Sequence, residues 1–172
     1  SNMNFKQFCD KWIGKRYKEV GMKNYECVAL CKLYYQEVYK ITGLFFGWSA
    51  INGFQGKGNL KEYFDFVPTP KQWDLVFYNI TPTNPYGHVA IVDDSKNILE
   101  QNGARGSWTG LWDDAIRLHK APTNVAGYMR LKTVDEVDKR VQEFADKYWI
   151  DGRSKDKPYS QYETLIILSK IQ

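Results

Sequence analysis

Hydrophobic positions fall into two periods along this chain, a helical one at each end and a strand-like one in the middle. In residues 4–13, Phe5, Phe8, Cys9, Trp12 and Ile13 gather on one side of a helix, which makes Cys9 a core residue. Residues 14–24 are a loop. A longer helix is predicted over 27–41, with Val28, Cys31, Tyr35 and Val38 at helical spacing, Asn24 as a candidate cap and Gly43 as the stop. Residues 44–58 are rich in glycine and aromatics and have no clean period, so they read as a loop that either lines a groove or covers the core. A short helix is expected over 59–64.

The period then changes. Residues 73–80 and 88–92 read as strands, separated by a loop marked by Pro82, Pro85 and Gly87. A turn at 93–97 leads into a return strand at 98–102, and further strands are expected at 115–119 and 127–131 around Pro122. Helices followed by an antiparallel meander make an α+β fold. Beyond Lys132 two capping boxes, Thr133–Glu136 and Ser160–Glu163, open helical patterns. They divide the chain into a body at 3–132 and an appended helical hairpin at 133–172 that docks on something else.

Composition narrows the class. Aromatic residues make up 16% of the 172, too many for a disordered chain and suited to a groove or surface rich in Tyr and Trp. The net charge of +4 suits an anionic polymer such as a cell wall, but no basic run stands out, so nucleic acid is not expected as a partner. No apolar run approaches the ~20 residues of a membrane span. No basic segment followed by an apolar one opens the chain, so no secretory signal is visible; Ser1 and Asn2 ahead of Met3 read as a cloning remnant. Three cysteines without a regular framework argue against a disulfide scaffold. Cys27 and Cys31 lack partners at zinc-site spacing, and neither a metal nor another cofactor is expected.

The candidate chemistry lies in two places. Cys27 sits in the first turn of a predicted helix, where partial positive charge and free backbone N–H groups favour a thiolate and a developing oxyanion. His88 follows Gly87 at the mouth of a strand, where the glycine would leave room for a substrate. On the next strand Glu100 and Asn102 share one face and Gln101 the other, so a hairpin centred near residues 94–96 brings an acid or amide beside the imidazole. Nucleophile, base and orienter thus occur in the order Cys, His, Glu/Asn. His119 has no matching motif and reads as a surface or structural histidine, Cys31 as core, and Asp74 as a turn contact at a strand start. Trp108 and Trp112 read as either a substrate wall or packing.

Four blocks, Glu26-Cys27-Val28-Ala29-Leu30, Trp73-Asp74-Leu75-Val76-Phe77-Tyr78, Gly87-His88-Val89-Ala90-Ile91-Val92 and Glu100-Gln101-Asn102-Gly103, resemble the successive blocks of the CHAP domain, the cysteine, histidine-dependent amidohydrolase/peptidase. The resemblance covers roughly residues 4–132. It implies a papain-like α+β fold and peptidoglycan hydrolysis, as in phage endolysins, tail-associated lysins and bacterial wall enzymes. Cys27 would be the nucleophile, His88 the base and then acid, Glu100 the orienter and Asn102 an accessory polar group. The Cys27 N–H would form half of an oxyanion hole, with Asn24 or Tyr25 as candidates for the other half. Two positions depart from the family, which usually has Gln before the cysteine and Asp two residues after it; here they are Glu26 and Ala29. A carboxylate aimed at the thiol would raise its pKa, so Glu26 is expected to point outward or the activity to be modest. The loop at 21–24 carries a lysine and no aspartate, so the calcium that some members bind is not expected there.

The sequence therefore predicts a monomeric cysteine hydrolase that cuts an amide bond in peptidoglycan, either between muramic acid and L-alanine or within the stem or cross-bridge. The lack of a visible signal leans toward a phage-encoded lysin, made in the host cytoplasm and acting on the wall or carried on the virion. Two other classes compete: a wall- or partner-binding module on a degenerate scaffold, and a papain-like protease acting on proteins.

Overall fold

The computed structural model describes residues 3–94, 96–103 and 115–132. The expected hairpin at 133–172, and Trp108 and Trp112, lie outside the described residues.

Helix α1 spans Phe5–Trp12, and Asn4 caps it with a reciprocal bond to Gln7 that satisfies two otherwise orphaned donors. Helix α2 spans Cys27–Tyr39 and ends at Lys40 in a left-handed conformation. Its residues Leu30, Cys31, Tyr34 and Tyr35 are fully buried. A short helix α3, Ala50–Phe54, is capped by Ser49 and lies within the stretch read as loop; a single 3-10 turn at Leu60–Glu62 stands where a short helix was expected.

Among the described residues six strands follow: β1 Phe64–Val67, β2 Leu75–Tyr78, β3 His88–Val92, β4 Asn97–Glu100, β5 Arg117–Lys120 and β6 Val125–Leu131. They form one antiparallel sheet in the order β1-β6-β2-β3-β4-β5. The meander β2 to β5 matches the expected order, while β6 crosses back to pair with β2. Strand β1 was not foreseen. It is a short edge strand whose pairing, Phe64 with Leu131 through Val67 with Tyr128, joins residues far apart in the chain, which local periodicity cannot display.

The α+β expectation therefore holds, and the sheet is covered on one side by helix. Along β2 and β3, Leu75, Phe77, Val89 and Ile91 join the main core with α2, while Val76, Tyr78, Ala90 and Val92 pack in a second, smaller cluster on the opposite face. This two-residue alternation later decides which way each site residue points. Cys9 and Cys31 are core, as read. Asp74 makes its turn contact, accepting from the Lys71 N–H at 2.8 Å, and is also gripped by Arg130 through Nε at 2.9 Å and Nη2 at 2.8 Å. Trp73, read as the start of a strand, instead turns through a left-handed conformation that sends its N–H to the Val92 carbonyl. No described helix is long and apolar enough to cross a membrane.

Candidate active site

Cys27 is the first residue of α2, so its N–H has no partner within the helix. The residue before it, Glu26, is in the capping position but makes no side-chain cap bond, and the Asn24 expected as cap does not serve as one. His88 opens β3 opposite Tyr78 of β2, whose ring lies nearly parallel to the imidazole with centroids 5.9 Å apart. Helix mouth and strand mouth meet in one cavity of about 910 Å³, which Cys27, His88 and Asn102 all line. Cys27 and Glu100 both act on the imidazole and favour its protonated form. His88 Nε2 lies 3.3 Å from Glu100 Oε1.

Glu100 reaches His88 across a diagonal. The β3–β4 register pairs Ile91 with Leu99 and Val92 with Ile98, so extending it would set Asn102 opposite His88 and Glu100 two residues along. The strand stops at Glu100, however, and Asn102 adopts a left-handed turn with φ 64°. The shared face expected of Glu100 and Asn102 is thereby lost. Asn102 still lines the cavity, but among the described residues its Oδ1 is buried without a hydrogen-bond partner and no bond from it reaches His88.

Three features were not anticipated. Arg117 on β5, directly across from Glu100, donates from Nε at 3.0 Å and Nη2 at 2.8 Å to Glu100 Oε2. One carboxylate oxygen thus faces arginine and the other histidine. Gln101 is fully buried and binds backbone on the helix side. Gly103 packs so tightly on the Glu100 carboxylate that a Cβ there would stand 2.5 Å from Glu100 Cδ. Pairing the predicted strands at 98–102 and 115–119 as neighbours could have found Arg117; nothing local in the sequence points to the other two contacts. His119, two residues beyond Arg117, is about half exposed and its Nδ1 comes within 3.9 Å of Glu100 Oε2, at the rim of the network.

The electrostatics follow from burial and pairing. Burial disfavours an imidazolium, but the interactions with Cys27 and with the Glu100 carboxylate outweigh it, so the His88 pKa is raised to about 10. Burial likewise resists ionisation of Glu100, and the bonds and charges of His88 and Arg117 overcome it, leaving its pKa below the usual value. The network holds His88 protonated and Glu100 ionised through the neutral range.

Two expectations are corrected. Glu26 does not simply point outward: it is half-buried and lines the same cavity as Cys27, and burial together with nearby Glu19 raises its pKa. Gly87 does not hold space open for substrate. Its φ is 68°, and a Cβ there would come within 2.7 Å of the Tyr78 carbonyl oxygen and 3.1 Å of the Ile51 Cβ, so its missing side chain makes room for the protein itself. The aromatic stretch does both things proposed for it, since Phe46 is buried while Phe45 and Trp48, the latter 90% exposed, stand at the cavity wall. Among the described residues no group of three His, Cys, Asp or Glu is placed to hold a metal ion.

No family model matches this chain, and no curated protein sequence does. Among solved structures it is similar to the wild-type endolysin LysIME-EF1, with a TM-score of 0.56 and 17% identity over 72% of this chain and 60% of that one. It also aligns with Ly7917 (TM-score 0.45, 24% identity, 62% of this chain and 53% of that one) and with a lipoprotein-like protein of the NLP/P60 family from Staphylococcus aureus subsp. aureus Mu50 (TM-score 0.47, 14% identity, 77% of this chain and 44% of that one). The chain spans about 60% of the LysIME-EF1 chain, and what the two share is the α+β fold.

Proposed function

We propose that this chain is a CHAP-type cysteine hydrolase that cuts an amide bond in peptidoglycan. The observation that carries the reading is the line Cys27–His88–Glu100, in which a helix-terminal sulfur meets an imidazole backed by a buried, ionised acid. Its fold likeness to an endolysin supports the choice of substrate. The catalytic body is residues 3–132, with residues 133–172 an appendage.

The chemistry follows from these groups. The Cys27 thiolate, paired with the His88 imidazolium, attacks the amide carbon, forming the S–C bond and placing negative charge on the former carbonyl oxygen. The Cys27 N–H, which has no partner within α2, stabilises that oxygen. Collapse breaks the C–N bond while His88 gives its proton to the leaving amine, and a thioester remains. Neutral His88 then takes a proton from water as it attacks the thioester. Thiolate leaves, a carboxylic acid is released, and the thiolate–imidazolium pair is restored. Glu100 holds the ring throughout and stays ionised.

The test is clearing of Gram-positive walls by wild type against Cys27→Ala. Wild type is expected to clear and release new amines, and mass spectrometry of the fragments identifies the bond. Equal clearing by both proteins refutes the cysteine mechanism. One observation favours a second reading, a wall-binding module on a degenerate scaffold: the half-buried Glu26 lines the same cavity as the nucleophile. That reading predicts co-sedimentation with walls, no released amine and no iodoacetamide labelling of Cys27 near neutral pH.

A further inference from the structure

The residue after Glu100 has no part in the Cys27–His88–Glu100 line, yet it is more completely engaged than any of them. Gln101 is fully buried. Its Nε2 donates to the Glu26 carbonyl at 2.7 Å and to the Tyr17 carbonyl at 2.8 Å, and its Oε1 accepts from the Tyr17 N–H at 2.8 Å. Both amide hydrogens are used, on backbone of the segment that leads into α2.

The bond to Glu26 matters because of what lies across that peptide. The Glu26 carbonyl and the Cys27 N–H belong to one planar unit, and no described peptide is cis, so they point in opposite directions. Anchoring the oxygen therefore fixes where the N–H points. The usual means of fixing a helix entrance is missing here, since Glu26 makes no side-chain cap bond. Strand alternation explains how one dipeptide serves both halves of the site: Glu100 faces His88 and Arg117, and Gln101 emerges on the α2 side.

We propose that Gln101 is a positioning residue for the oxyanion hole, holding the Glu26–Cys27 peptide so that the Cys27 N–H faces the reacting carbonyl oxygen. The inference rests on the cysteine-hydrolase reading above. It predicts a split between two reactions of the same sulfur. Amide hydrolysis builds negative charge on oxygen and needs the N–H. Alkylation by iodoacetamide displaces iodide at a saturated carbon, forms no oxyanion, and needs only the thiolate and its imidazolium.

The experiment compares wild type, Gln101→Met, Gln101→Asn and Cys27→Ala as full chains. Gln101→Met keeps the length without a donor; Gln101→Asn keeps an amide that is one methylene too short to reach, and carries the same comparison should Gln101→Met not fold. Expected in either variant is a fall in kcat of about 10²-fold, the scale of losing an oxyanion-hole donor, with KM and the rate and pH profile of Cys27 alkylation within about twofold of wild type, as for groups the change does not touch. Hydrolysis and alkylation falling together would reduce Gln101 to a packing role and overturn the proposal, as would hydrolysis within about threefold of wild type in a folded variant. Failure of the underlying reading looks different: wild type would then hydrolyse no better than Cys27→Ala, whatever stands at position 101.

Discussion

Gly103→Ala tests how tightly the acid behind His88 is held. Gly103 does not use a left-handed backbone, so alanine meets no conformational objection there. The obstacle is contact. The new Cβ would lie 2.5 Å from both Cδ and Oε2 of Glu100, whereas ordinary packing begins near 3.4 Å. Relief requires the carboxylate to retreat by about 1 Å, a displacement that can cost up to ~10²-fold when it separates catalytic groups. Arg117 holds Oε2 by two bonds, so the loss falls on the longer contact, the 3.3 Å from Oε1 to His88. We expect kcat/KM for wall-fragment release to fall by roughly 10- to 100-fold and the melting temperature to reflect an overpacking cost of about 1–3 kcal/mol. The His88 titration, followed by NMR of the imidazole, should move below its value of about 10, because one of the bonds that raises it is weakened. A folded Gly103→Ala protein with near-wild-type kcat/KM and an unmoved His88 titration would show that the acid does not set the ring, and the argument would fail.

Two further predictions use the same network. Arg117→Met leaves a buried carboxylate with His88 as its one close partner among the described residues and His119 3.9 Å away; it should cost roughly 3 kcal/mol of stability and move the acid limb of kcat/KM to higher pH, since Arg117 helps hold the Glu100 pKa down. Arg117→Lys should restore part of the limb, and an unshifted limb in Arg117→Met would contradict the role given to this pair. For His88, the folded pKa of about 10 lies above the unfolded value of about 6.5. Its contribution to stability is therefore complete below about pH 6.5 and lost as pH rises toward 10. Thermal melts across that window should decline more steeply for wild type than for His88→Gln, and parallel slopes would show that no such proton is taken up on folding.

Much of the site was legible because its parts sit where strong local signals begin or end. Cys27 opens a helix whose apolar spacing marks its start, and His88 opens a buried strand that follows a proline- and glycine-marked loop. The turn at 93–97 fixed the hairpin closely enough to bring Glu100 near His88. The face shared by Glu100 and Asn102 was misjudged because alternation was carried two residues past the end of the strand, into a left-handed turn. The partial burial of Glu26 was not legible because it depends on the walls of the cavity and not on its own helix. Strand β1 and helix α3 were missed for a related reason: each is too short to show a period, and each is held by partners distant in sequence.

By itself the amino-acid order determined the α+β class, the long helix with a sulfur at its entrance, the central meander and the nearness of an acid to an imidazole, because period, caps and turns act over a few residues. Only the folded sheet decided that Arg117 grips Glu100, that Gln101 reaches the peptide before Cys27 and that Gly103 leaves room for a carboxylate. Those contacts join β5 to β4 and β4 to the entrance of α2. They depend on register and crossover, which many distant residues set together and no short stretch encodes.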